Sequence, residues 1–397
     1  MRIKKSVMLV STFLFVLWIL ASCVPLGPPI PELWTVEYNT MITTGDTATE
    51  LFDEYIQTYS EEQAPQMVVN WLEAQSGIQS AGISDDGVSI WFEYENDFRG
   101  VLLTYDVGEE TSTEGTSRSA ASKLSTAEHV RLLPSNKKAL LLDPFPTIFL
   151  GWAGHVKNKL TSAGYNCEAF EGGQASIERM RSLYLYGVVA INTHGGLLKD
   201  QVVICTGLKE SKEYSKQYEE EFKRGNIVIA WIRYLGLFWK VHYYAITPSF
   251  IELNASGLYP KSLIYMGGCN TLRNTTLAEA FINKGAHTYC GWNIKVRRIS
   301  LYNDTKKLFT NLIDQKKDVP EAIVAVGNPY LNFYSPTPGD LTLLPRVLFC
   351  DTHNPINGYA SISSHFAPLI SYLEDAKYIV DIVDISNLED YDILVLV

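Results

Sequence analysis

Gly187-Val188-Val189-Ala190-Ile191-Asn192-Thr193-His194-Gly195-Gly196 is the stretch on which the fold turns. Its first five residues are apolar or small, three of them β-branched, and a short run of this kind reads as a strand covered on both faces. The run then stops at polar residues and two glycines, where the chain leaves the strand's carboxyl end. Ala139-Leu140-Leu141-Leu142 and Ser262-Leu263-Ile264-Tyr265-Met266 repeat the pattern on either side, the second ending in Gly267-Gly268-Cys269. Helical spacing lies between these strands, over residues 156–163 up to Gly164 and over residues 177–185, with a further strand at 166–170. Thr276-Leu277-Ala278-Glu279 is a capping box that opens a helix stopping at Gly285, and residues 287–292 read as another strand. Strand and helix in alternation predict a doubly wound, mostly parallel α/β sheet over residues 135–335.

The flanks read differently. Residues 24–107 hold a small α+β region, with a helix over 64–75 (Val68, Trp71 and Leu72 on one face) and strands at 88–92 and 101–105. Residues 108–134 form a linker whose first part, 108–126, is rich in Ser, Thr, Glu and Gly. Little apolar area is available there to offset the entropy of ordering, so protease access is expected, with Arg118 and Lys123 as basic cut points. A plain linker is the first reading of this stretch and an activation site the second. Between strands 187–191 and 262–266 an insertion carries a charged helical stretch (212–224) and aromatic-rich strands (227–246). In the C-terminal region, residues 340–397, the runs 346–349, 366–373, 378–385 and 391–395 retrace the order of residues 138–191. The sequence reaches its last residue where the first copy reaches His194.

The chain has 397 residues, 46% apolar and 19% charged, a globular composition long enough for two or three domains. Its net charge of -11 repels a phosphate backbone, and no basic run follows the extreme N-terminus, so nucleic acid is not an expected partner. Arg2, Lys4 and Lys5 precede an apolar run over residues 7–21, signal-peptide length and short of a comfortable bilayer span. Leu20-Ala21-Ser22-Cys23 closes it and resembles the lipobox of bacterial lipoproteins, which implies a diacylglyceryl chain on Cys23. An uncleaved anchor helix is the alternative. Either places the body in the cell envelope, tethered to a membrane on its extracytoplasmic side, with Pro25, Pro28, Pro29 and Pro31 as an extended tether. Setting Cys23 aside leaves five cysteines, Cys167, Cys205, Cys269, Cys290 and Cys350, so at least one thiol stays unpaired.

In open α/β sheets the reacting groups gather at the strands' carboxyl ends. His194 and Cys269 each follow an apolar strand and emerge at that edge together. A thiol is a nucleophile once ionised, and an imidazole nearby raises its thiolate fraction or protonates a leaving amine. Gly195 leaves its N–H unobstructed toward a developing oxyanion, beside the N–H of Cys269. Plain readings exist for each: a structural histidine at a strand end, and a cysteine acting as a small hydrophobe. His287 and Cys290 have ligand-like spacing but project to opposite faces of a strand, so no metal site is expected.

GVVAINTHGG (187–196), KSLIYMGGCNTL (261–272) and TTLAEAFINKGAHTYCGWNIKV (275–296) resemble the clan of cysteine peptidases that holds caspases, clostripain, gingipains and legumain. The resemblance runs from about residue 138 to residue 327. It implies a caspase-like three-layer α/β/α sandwich, a dyad of His194 and Cys269, protein or peptide substrates, and no cofactor. The caspase pentapeptide is absent, since Gly267-Gly268-Cys269-Asn270-Thr271 stands in its place. The His-to-Cys interval of 75 residues also exceeds the ~50 typical of caspases. Clostripain-like enzymes carry an acid two residues before the cysteine, where this chain has Gly267, so neither caspase nor Arg/Lys specificity is implied. The C-terminal region is similar to the opening of a class I glutamine-amidotransferase-like domain without its nucleophile, or is a sheet extension of like rhythm. The expected function is a membrane-tethered cysteine endopeptidase. The alternatives are a catalytically inactive caspase-like module that binds partners in the envelope, and an envelope lipoprotein with no enzymatic site, which requires His194 and Cys269 to lie far apart.

Overall fold

The computed structural model describes residues 32–60, 62–105, 134–149, 151–234, 241–254, 256–335, 341, 343, 346–350, 367–375, 378–383 and 393–396. Cys23 with its lipobox, and the 108–126 stretch with Arg118 and Lys123, lie outside these residues. The chain divides into two compact units, residues 1–42 and 43–397. Of the first, only the opening of the helix Glu32–Thr58 is described.

The second unit is α/β, with two large mixed sheets. Its strands, in chain order, are β1 (Ile78–Ile83), β2 (Ile90–Tyr94), β3 (Arg99–Tyr105), β4 (Lys138–Asp143), β5 (Asn166–Glu171), β6 (Val188–Asn192), β7 (Gly195–Leu198), β8 (Gln201–Lys209), β9 (Ile227–Tyr234) and β10 (Val241–Ile246). They continue with β11 (Leu263–Gly267), β12 (Thr288–Trp292), β13 (Leu331–Tyr334), β14 (Arg346–Cys350), β15 (Ile379–Val383) and β16 (Ile393–Leu396).

The apolar runs assemble a sheet in the order β13-β12-β11-β6-β4-β5, parallel throughout except for the edge strand β13. One face, including Leu141, Ala190, Tyr265 and Trp292, shares a core with Trp152, Val156 and Leu160 of helix Trp152–Ser162 and with Leu301, Leu308 and Leu312 of helix Arg298–Ile313. On the other face Tyr289 packs against Phe281 of helix Thr276–Asn283, ring centroids 5.8 Å apart. After β5 the chain crosses back to lay β6 on the opposite side of β4. The strand order therefore reverses between β4 and β6, and a crevice opens there at the carboxyl ends.

The second sheet has the order β1-β2-β3-β9-β10-β8-β7 and is antiparallel except for the β3–β9 pair. The sequence sets residues 24–107 apart from the insertion; the strands of both share this sheet, joined from Gly100↔Ile229 to Tyr105↔Tyr234. The reason lies in β3, where Val101, Leu102 and Leu103 are all buried and need cover on both faces. From Thr43 onward the first helix is pinned to this sheet. The Trp231 indole fills the space a side chain at Gly45 would take, and its N–H donates to Asp46 Oδ1 at 3.2 Å. Arg233 pairs with Asp53.

β14, β15 and β16 form a small parallel sheet in the order β15-β14-β16. This is the arrangement of β5-β4-β6, down to the stagger. Lys138 pairs with Asn166 while Ala139 pairs with Val188, and Arg346 pairs with Ile379 while Val347 pairs with Ile393.

Candidate active site

The two large sheets meet at His194. β6 ends at Asn192 and β7 starts at Gly195, so Thr193 and His194 alone make the passage. β6 and β11 are hydrogen-bonded parallel neighbours with Asn192 opposite Gly267, and the Thr193 N–H donates to the Gly267 carbonyl at 2.7 Å. His194 and Cys269 each lie two residues past that matched pair, at one sheet edge. Glycine is what permits the approach. A Cβ on Gly195 would stand 2.6 Å from the Cys269 carbonyl oxygen, and Cβ atoms on Gly267 and Gly268 would collide with Asn192 and with the Thr193 carbonyl. Thr193 Oγ1 donates to the Cys205 carbonyl at 2.6 Å, and the Cys205 N–H returns a bond to the His194 carbonyl at 2.8 Å, fixing the passage on β8.

The two side chains have different surroundings. The His194 ring is 6% exposed and lies edge-on to Phe145, with centroids 4.4 Å apart, and 5.5 Å from Phe149. Burial drives its pKa down to about 3, so the imidazole is neutral at physiological pH. Cys269 Sγ accepts from the Val296 N–H at 3.3 Å and faces the Val296 carbonyl at 3.6 Å. Burial, helped by the nearby Asp86 charge, raises the thiol's pKa against the pull of the Val296 N–H and Lys295. The site thus holds a thiol and a neutral imidazole, with no preformed thiolate–imidazolium pair. Gly195 opens β7, paired across to Ile204, with its Cα against the Cys269 backbone.

Residues that the sequence did not single out complete the edge. Asp143 and Asn192 end the neighbouring strands β4 and β6 and are both buried. Burial, reinforced by the Glu171 charge, pushes the Asp143 carboxyl up to about 7, while the Phe145 N–H and the Trp152 indole offset part of that shift. Neither Asp143 nor Asn192 closes a side-chain hydrogen bond of good geometry. The polar residue that ends each apolar run was the available signal. Asn270, next to the thiol, takes φ +58°, a left-handed conformation that asparagine tolerates. A cavity of about 360 Å³ adjoins the site, with Val296, Asp304, Lys307, Asn328 and Tyr330 in its wall.

Cys167, Cys205, Cys269 and Cys290 are thiols, without a disulfide among them. Among the described residues no group of three His, Cys, Asp or Glu side chains could hold a metal ion, and no helix is long and apolar enough to cross a membrane. No protein-family model matches the chain, and no curated protein matches it.

Proposed function

We propose that the chain is a cysteine endopeptidase with a caspase-like three-layer sandwich, acting on protein or peptide substrates in the cell envelope and tethered through Cys23. The observation that carries this reading is the Asn192–Gly267 pairing, which sets His194 and Cys269 at matched positions on adjacent strand ends. In the reaction Cys269 Sγ attacks the scissile carbonyl as neutral His194 takes the thiol proton. The imidazolium then returns that proton to the departing amine; water, deprotonated by His194, releases the acyl group from sulfur, and the leaving sulfur takes the water's proton back from the imidazolium. This reading assigns the N–H groups of Gly195 and Cys269 to the oxyanion. A catalytically inactive binding module is favoured by one specific feature, the engagement of the thiol by Val296 and of the imidazole by Phe145 and Phe149.

An irreversible peptidyl-ketone library, read by mass, separates the two. Peptidase chemistry gives a ketone adduct on Cys269 that is absent in Cys269→Ala and slowed roughly 100-fold or more in His194→Ala. Folded protein that takes no ketone in the library, yet holds the same peptides reversibly, is the binding module.

A further inference from the structure

The hairpin turn between β1 and β2 reaches both limbs of the site. Asp86, in the sequence Asp85-Asp86-Gly87, closes that turn by accepting at Oδ1 from the N–H groups of Val88 (3.0 Å) and Ser89 (2.8 Å). Its Oδ2 accepts from the Ser89 hydroxyl at 2.6 Å and from Asn270 Nδ2 at 2.9 Å, across 184 residues of sequence. Around it, Ser84 Oγ donates to the Leu197 carbonyl at 2.9 Å, the Leu197 N–H donates to Ser89 Oγ at 3.4 Å, and Arg273 bridges the carbonyls of Asp85 and Asn293. The Asp86 carboxylate therefore ties the N-terminal hairpin directly to the residue after Cys269, while Ser84 and Ser89 tie the same hairpin to Leu197 in the segment after His194. Asn270 is 3% exposed, its N–H donates to the Ile294 carbonyl at 2.9 Å, and its backbone is left-handed, so its amide fixes the turn from which the thiol emerges.

We infer that Asp86 is a positioning residue for Cys269, acting through Asn270, and that the β1–β2 hairpin is a permanent wall of the site and not a removable cover. The inference rests on Cys269 as the reacting thiol, and its test needs no peptide cleavage. Asp86 supplies a negative charge near the thiol, opposed by Lys295, so neutralising it favours the thiolate.

The experiment is iodoacetamide alkylation of Cys269 in the full chain, followed by peptide mass across pH 6 to 10. Asp86→Asn keeps an acceptor for the turn and is expected to move the alkylation midpoint down by roughly half a pH unit. Asp86→Ala and Asn270→Ala each change the rate at pH 8 by about three-fold or more, and the double variant changes it no further than either alone. Chain cut between residues 105 and 134 keeps its N-terminal fragment through gel filtration and alkylates at the native rate. A native midpoint in Asp86→Asn, additive effects in the folded double variant, or a fragment that leaves without changing the rate would overturn the inference. Where Asp86→Ala does not fold, the Asp86→Asn midpoint decides. If the coupling holds while no ketone labels the protein, the peptidase reading fails and the positioning of the thiol stands.

Discussion

The six-stranded sheet and the seven-stranded sheet divide the work unequally. The first, parallel except at its edge strand β13 and linked by helices, carries Cys269 and Asp143 at its carboxyl edge and delivers the chain to His194. The second, antiparallel except at β3–β9, holds neither candidate reacting group, yet it supplies Gly195, the β8 bonds to the histidine passage and the hairpin that carries Asp86. Asp143 and His194 follow the two strands between which strand order reverses, and Cys269 follows the next strand over, β11. The restraint on those groups comes from a sheet assembled out of distant parts of the chain.

The seam of that second sheet is where the division is most easily broken. Trp231 is 2% exposed and packs against Phe92 and His242, with both ring centroids 5.3 Å away, while Gly45 lies under its indole. Trp231→Ala is expected to cost roughly 3–5 kcal/mol, because the cavity would border a helix, β2 and β10 at once. Urea unfolding followed by circular dichroism checks it. If the seven-stranded sheet restrains the site as described, the variant loses stability in one transition and Cys269 becomes faster to alkylate at sub-denaturing urea. Two separate transitions, with the thiol unchanged through the first, would mean that the sheets do not depend on each other.

The same contrast governs what the sequence let one read. The parallel strands were legible because an all-apolar run has few other fates: runs at 187–191, 262–266 and 139–142 became Val188–Asn192, Leu263–Gly267 and Lys138–Asp143. His194 and Cys269 were legible for the same reason, as residues just past such runs. Asp86 was not. Its Asp-Gly turn announces a hairpin, but nothing local says that the turn ends on Asn270. Local sequence does not mark the β7–β8 hairpin, although Val202, Val203 and Ile204 are β-branched, because two glycines open it. The charged stretch 212–224 became two short helices, Lys212–Gln217 and Glu219–Lys223, interrupted at Tyr218, whose ring packs edge-on to Tyr244 at 6.1 Å. Pairing between distant segments, as in β3 with β9, is set by which faces need cover, information that a window of local sequence does not contain.

A smaller effect tests the parallel sheet. The Asp143 carboxyl is held up to about 7 by burial and by Glu171, against an ordinary value near 4. A carboxyl with a raised folded pKa binds its proton more tightly in the folded state, so stability falls as pH rises from about 4 to about 7 and stays low above that. Asp143→Asn removes the ionisation and keeps the shape. It is expected to raise stability at pH 8 by roughly 3–4 kcal/mol and to leave it nearly unchanged at pH 4. Melting temperatures of the two proteins at both pH values decide the point. An equal difference at pH 4 and pH 8 would show that folding does not raise the pKa of this carboxyl.

The smallest expected effect returns to the seven-stranded sheet. His242 Nε2 lies 2.6 Å from Asp46 Oδ1, on the first helix, and Nδ1 lies 3.7 Å from Glu210 Oε2, just past β8. Burial alone would depress this imidazole, but the two carboxylates overcome it and raise the pKa to about 9. A histidine whose folded pKa exceeds its unfolded one adds stability that is fully present below about 6.5 and is lost as pH rises through about 9. Asp46 is 30% exposed, so solvent screens part of the attraction, and a loss of about 1–2 kcal/mol between pH 7 and pH 10 is the expected scale. The readout is a difference from His242→Gln, which cancels what every other group contributes to the pH dependence. Native protein should lose its advantage over that variant steadily from pH 7 to pH 10, following the midpoint near 9. A constant difference across that range would mean that His242 is neutral between Asp46 and Glu210. Its grip on the helix would then be an ordinary hydrogen bond, and the charge at this seam would do nothing to hold the helix against the second sheet.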